Sequence, residues 1–171
     1  MMSRSSPRTE FYSPAEVVGL AVEIEKAGSK FYLEAAERAK NPETGELLRR
    51  LAAEEVQHER TFAQLFDRLR ETPAQLPYDW EEVKSYLRVV TESKFFLTPD
   101  KALPRILPET TETELLELAI QFEKETLVFY LEIADLVAAE HRSLIGELVR
   151  QERRHMRKLA EMHSRQRQLR A

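Results

Sequence analysis

The stretch Leu51-Ala-Ala-Glu-Glu-Val-Gln-His-Glu-Arg-Thr-Phe62 decides the fold. Leu48, Leu51, Phe62, Leu65 and Leu69 trace one stripe of a helix, and the members missing from that stripe are Glu55 and His58. A carboxylate and an imidazole therefore stand where a packed helix calls for Leu or Ile. An ionised Glu in an apolar interior is costly unless it is paired or bound to a metal. The helix must meet its polar partners elsewhere in the chain.

Working outward, Asn41-Pro42 opens this helix (B), which runs to about Arg70. Before it, Ser13-Pro14-Ala15-Glu16 reads as a helix start, with Ser as N-cap, Pro at the first position and Glu closing a capping box. Helix A continues to about Lys40 on the stripe Val17, Leu20, Ala21, Ile24, Gly28, Phe31 and Ala35, with Glu25 and Tyr32 along its edge. Residues 1–12 are polar and aperiodic, and are read as a flexible arm. After helix B, the segment Thr72–Thr113 holds Pro73, Pro77, Pro99, Pro104 and Pro108 and cannot be one helix. It predicts a long crossover with a short helix within Trp80–Phe96, where Val83, Tyr86, Leu87 and Val90 share a side. Thr111 with Glu114 caps helix C, which runs to about Ala139. Helix D starts near Ser143, the bundle spans 13–165, and 166–171 is expected to fray.

Helix D repeats the anomaly. Its stripe reads Ile145, Leu148, Glu152, His155, Leu159, Met162, again with a Glu and a His in core positions. Leu20–Glu34 matches Leu118–Glu132 at an offset of 123 − 25 = 98, and Leu51–His58 matches Leu148–His155 at 155 − 58 = 97. Two helical hairpins of one design predict an all-α four-helix bundle with approximate twofold symmetry. Glu25 and Glu123 are the carboxylates of the first helices, and Glu55-His58 and Glu152-His155 the pairs of the second. Residues i and i+3 share a helix face, so each pair can chelate or bridge from its own side. Four carboxylates balance two divalent ions, which leaves a buried cluster neutral. Oxygen and imidazole donors without thiolate favour iron or manganese, with zinc able to enter.

At these residues the chain resembles the ferritin-like superfamily, nearest to the rubrerythrin-like proteins, over roughly Ser13 to Met162. The resemblance implies a ferritin-like bundle binding two metal ions, most simply iron, at Glu25, Glu55, His58, Glu123, Glu152 and His155. In that family the Glu-x-x-His glutamates bridge the ions, a role that falls to Glu55 and Glu152, and the others are terminal. Two departures stand out. The chain has no Cys, so it holds no rubredoxin-type iron domain. Where rubrerythrins carry an extra carboxylate one turn after the helix-C ligand, this chain has Thr126, with Glu125 beside it.

Tyr32 and Tyr130 fit two roles, hydrogen-bonding a ligand carboxylate or filling the core. Glu34, Glu132, Glu54 and Glu59 lie off the stripes and read as solvated, and His141 and His163 as surface residues. Trp80, Phe95 and Phe96 read as packing the crossover onto the bundle or onto a second subunit, and a homodimer or larger assembly is expected. The net charge of −4 gives no reason to expect nucleic acid or an anionic membrane as partner. No apolar run approaches the ~20 residues of a membrane span, so a soluble, cytoplasmic protein is expected. Functionally the pattern implies a dimetal protein that oxidises Fe(II) or reduces O2 or peroxide with an external electron donor. Iron storage or sensing, and a bundle with structural metals, are the alternatives.

Overall fold

The computed structural model describes residues 13–71, 80–91, 106, 107 and 109–168, and they form five helices. These are α1 (Pro14–Arg38), α2 (Pro42–Glu71), α3 (Trp80–Thr91), α4 (Glu112–Leu136) and α5 (Ala139–Gln168). Both expected N-caps are in place. Ser13 Oγ accepts from the Glu16 N–H at 3.3 Å, and Thr111 with Glu114 forms a complete capping box on α4. Between α1 and α2 the Asn41 side chain accepts from the Glu43 N–H at 2.8 Å, ahead of the turn into α2.

Helices α1 and α2 pack along their length, as do α4 and α5; α1 also meets α4, and α2 meets α5. The order around the bundle is therefore α1, α2, α5, α4, and α2 and α4 stand on a diagonal. Two sequential helices can take diagonal places only if the link between them is long, which is the sense of the crossover. At one end Glu112, buried in the first turn of α4, accepts from the backbone N–H of Lys40 at 2.8 Å and of Asn41 at 3.4 Å. This clasp joins the α1–α2 turn to the start of α4, so α1 and α4 run antiparallel. The core between them is built from Val17, Leu48, Leu51, Phe62, Leu65, Leu116, Phe129, Ile133, Ile145 and Leu159, all essentially excluded from solvent. Burying each such side chain stabilises the fold by about 1.5–3 kcal/mol.

Three boundaries differ from the sequence expectation. Helix α5 starts at Ala139, because Ala139-Glu140-His141 are ordinary helix formers once Val137 and Ala138 have made the turn. His141 thus sits in the first turn of α5. The helix also continues to Gln168, past the expected fray at 166, and Gln166 is buried. Helix α4 ends at Leu136, short of the expected Ala139. The described part of the short helix packs Trp80 and Leu87 into the core. The readings of residues 1–12, of the Tyr86 and Val90 side chains, of Phe95 and Phe96, and of 169–171 lie outside the described residues. Among the described residues no helix is long and apolar enough to cross a membrane.

Candidate metal centre

All six expected ligands meet in the middle of the bundle. Glu25 comes from α1, Glu55 and His58 from α2, Glu123 from α4, Glu152 and His155 from α5, and none is more than 2% exposed. The two imidazole rings stack with centroids 5.4 Å apart and 15° between planes. Ligand atoms of Glu25, Glu55, His58 and Glu152 lie within 4.8 Å of one another, and so do those of Glu55, Glu123, Glu152 and His155. Glu55 and Glu152 belong to both groups.

The orphaned atoms show how these side chains are aimed. Glu25 Oε2, Glu55 Oε1, both carboxylate oxygens of Glu152, Glu123 Oε2, His58 Nδ1 and His155 Nδ1 are buried without a hydrogen-bond partner. His58 Nδ1 stands 2.8 Å from Glu152 Oε1 and 3.4 Å from Glu55 Oε2. His155 Nδ1 is 3.2 Å from Glu55, 3.3 Å from Glu123 and 3.2 Å from Glu152. These contacts gather the donor atoms of all six side chains into one buried cluster. Buried polar groups are otherwise almost always satisfied, so a knot of orphans calls for a cation at its centre. The residues present fit a pair of divalent ions.

The electrostatics of the metal-free cluster agree. Burial, then the charge of Glu55, raises the pKa of Glu25 well above the usual carboxylate range; burial and then Glu152 do the same to Glu123. Burial also opposes ionisation of Glu55 and Glu152, as does the charge of Glu55 on Glu152, yet hydrogen bonds from Glu25 and then the imidazoles hold Glu55 lowered, and those from the imidazoles hold Glu152 lowered. For His58 and His155 burial disfavours the imidazolium, and the surrounding carboxylates more than reverse it, so both are raised. Without metal, then, two imidazolium rings face two ionised carboxylates while Glu25 and Glu123 keep their protons. The cluster is neutral with protons and is neutral again with two divalent ions in their place.

The groups behind the ligands are as ordered as the ligands. Tyr32 donates to Glu123, and Tyr130 donates to Glu25. Burial, then Glu123 for Tyr32 and Glu25 for Tyr130, raises both phenol pKa values, which keeps the donors protonated. Of the two roles open to these tyrosines, the structure places them on the ligand carboxylates. Each is braced by a Phe, Tyr32 against Phe122 at 6.1 Å and Tyr130 against Phe62 at 4.7 Å between centroids.

Glu54 corrects the sequence reading. It is half-buried in the seam between α2 and α5, and its Oε2 stands 2.9 Å from His155 Nε2, with Lys158 3.1 Å from Oε1. The seam hides a position that the stripe alone assigns to the outer face. The hydrogen bond to His155 lowers the Glu54 pKa to about 2, against the opposing effect of burial. Across the bundle Gln151, a residue that the stripe did not single out, sits 2.8 Å from His58 Nε2. Each precedes its candidate ligand Glu by one position, at matching places in the repeat, but the stripe alone does not say which flank is covered. Glu125 is engaged by Gln121 at 2.7 Å and belongs to neither four-residue group, while Thr126 is buried with its hydroxyl unpartnered. His141 lies against Glu140 at 3.4 Å and His163 against Glu117 at 3.1 Å, both away from the cluster. Glu34 is exposed and pairs with Arg38.

Residues 16–163 match the family model of rubrerythrin. The chain belongs to the rubrerythrin family. Among solved structures, this rubrerythrin-family chain is similar to a protein from Thermotoga maritima assigned as ferritin-like and diiron-carboxylate. The two are 26% identical with a TM-score of 0.65, over 91% of this chain and 97% of the other. Nothing matches among curated protein sequences. Family, fold and buried Glu/His cluster together make this rubrerythrin relative a dimetal carboxylate protein.

Proposed function

We propose that the protein is a di-iron oxidoreductase that oxidises Fe(II) or reduces O2 or hydrogen peroxide with electrons from an external donor. The observation that carries this reading is the convergence of seven orphaned buried atoms from Glu25, Glu55, His58, Glu123, Glu152 and His155. Two redox-active ions held there would supply a centre that gives or takes two electrons at one place. In this reading Glu55 and Glu152, shared between the two groups of ligand atoms, would serve both ions, and Glu25 with His58, and Glu123 with His155, would each serve one. Tyr130 and Tyr32 orient the terminal carboxylates, and the packed core around them limits water. The donor set of oxygen and imidazole supports iron, with manganese and zinc the competing occupants.

Assembly as a homodimer fits the same reading. Leu33 on α1 and its repeat-mate Leu131 on α4 (33 + 98 = 131) are 49% and 43% exposed, an apolar pair repeated on both hairpins. The deciding experiment is metal content after purification without added metal, followed by anaerobic loading and single-turnover reaction with O2 and with H2O2. Two irons per chain and rapid oxidation support the enzyme. Two irons inert to both oxidants, after reduction and in the presence of a donor, reject it in favour of a structural centre.

A further inference from the structure

The repeat makes the ligands equivalent but not what stands behind the histidines. At the 97-residue offset, Gln151 occupies the place of Glu54 (54 + 97 = 151), and Thr61 the place of Lys158 (61 + 97 = 158). Both imidazoles turn Nδ1 to the cluster and Nε2 outward, so Nε2 must carry the proton when Nδ1 binds metal. His155 gives that proton's hydrogen bond to a carboxylate at 2.9 Å, and His58 gives it to an amide oxygen at 2.8 Å. A carboxylate acceptor draws the proton and leaves the ring a stronger electron donor at its other nitrogen; an amide does so far less. Lys158 holds the other oxygen of Glu54 at 3.1 Å, on the half-exposed side of the seam, and moderates this charge without replacing it.

We propose that Glu54 and Gln151 make the two ion positions unequal, so that the ion bound by Glu123 and His155 is held more tightly and fills first. The inference rests on the dimetal reading and deepens it. The position served by Glu25 and His58 is then the labile one, the place where a substrate Fe(II) or an exchanging ion enters a half-filled centre. Glu54 acts as a positioning residue, and its charge is what distinguishes it from its mate.

The test is anaerobic titration of metal-free protein with Co(II), followed by calorimetry and by the paramagnetic shifts of the two histidine rings. Wild-type protein should take two ions in steps separated by roughly 10-fold or more, the first shifting the ring resonances of His155. Glu54→Gln keeps an acceptor on Nε2 and removes only the charge. It should bring the two steps together, and Gln151→Glu should do the same from the other side. Exchanging both, E54Q with Q151E, should send the first ion to His58. Steps left unchanged by Glu54→Gln, or a first ion at His58 in the wild type, overturn the inference and leave the dimetal reading standing. Uptake of fewer than two ions overturns the dimetal reading, and the inference with it.

Discussion

Hairpin α1–α2 and hairpin α4–α5 each bring a Glu, a Glu-x-x-His pair and a Tyr to the centre, yet one turn away they have diverged. Gly28 stands where the repeat has Thr126, Ile24 where it has Phe122, and Glu54 where it has Gln151. The first two differences belong together. A Cβ on Gly28 would come within 2.8 Å of the Phe122 ring and 3.6 Å of Glu55 Cγ, so glycine makes room for an aromatic against the ligand helix. In the mirrored place the chain spends a similar volume on Ile24 and Thr126. Packing around a buried centre constrains the sum of side-chain volumes more than each identity. A metal pair, by contrast, would constrain donor atoms one by one, and the six candidate donors are of the same type in both hairpins.

The strongest test of the shared part is Glu55→Ala against Glu152→Ala. Each removes a carboxylate common to both groups of ligand atoms, so under the proposed function each should reduce occupancy from two ions towards one or none and abolish single-turnover oxidation. Metal stoichiometry with stopped-flow absorbance checks this, and either variant retaining two ions and full turnover breaks the assignment. Glu34→Ala, at an exposed residue paired with Arg38 on its own helix, should change neither reading.

Next in size is the exchange of protons for metal. The raised pKa values of His58 and His155 mean that their stabilisation of the metal-free bundle is complete below the ordinary value of 6.5. It is lost as pH rises above that point, and the raised Glu25 and Glu123 act in the same sense. Glu55 and Glu152, lowered, are already ionised there and add no opposing slope. Thermal unfolding of metal-free protein should therefore occur at lower temperature at pH 8.5 than at pH 6.5 (round values about the ordinary imidazole pKa). Metal affinity should rise over the same window, because binding releases protons. Chelation at pH 8.5 should lower the melting temperature more than at pH 6.5. A metal-free protein that gains stability with pH would show that the hairpins do not share protons as described.

The smallest effects sharpen the difference in packing. Gly28→Ala should destabilise by about 1–3 kcal/mol, since the Phe122 ring is buried and cannot swing clear. Thr126→Ala removes a hydroxyl without a partner and one methyl, and should cost less than Gly28→Ala. Denaturant titration of both metal-free variants measures the contrast, and equal costs would mean the two sides of the centre are packed alike.

Much of this was legible in the sequence because it rests on periodicity. Glu55, His58, Glu152 and His155 interrupt apolar stripes, and an interruption that recurs at a fixed offset marks a buried polar site whatever the angle between helices. Glu25 and Glu123 came from the same repeat. Glu54 was not legible, because a residue on the flank of a stripe is exposed or covered according to which helix packs beside it, and that is a property of the α2–α5 seam. The choice between the two roles of Tyr32 and Tyr130 had the same cause: their acceptors, Glu123 and Glu25, lie on the opposite hairpin. The turn that starts α5 at Ala139 was hidden because no strong capping residue marks it.

The placing of the six candidate ligands, three on each hairpin, has a consequence for the order of events in folding. Contacts within a hairpin are close in sequence and form early, whereas docking one hairpin on the other closes the long loop between Glu71 and Glu112. Before docking, each hairpin shows an open half-site: Glu25, Glu55 and His58 on one, Glu123, Glu152 and His155 on the other. Docking buries both together, so the late step is the one that needs protons or ions to accompany it. Refolding should accordingly become faster in its final phase as divalent ion is added. The amount of iron in the medium would then act as a clock on maturation, separating chains that have docked from hairpins still waiting.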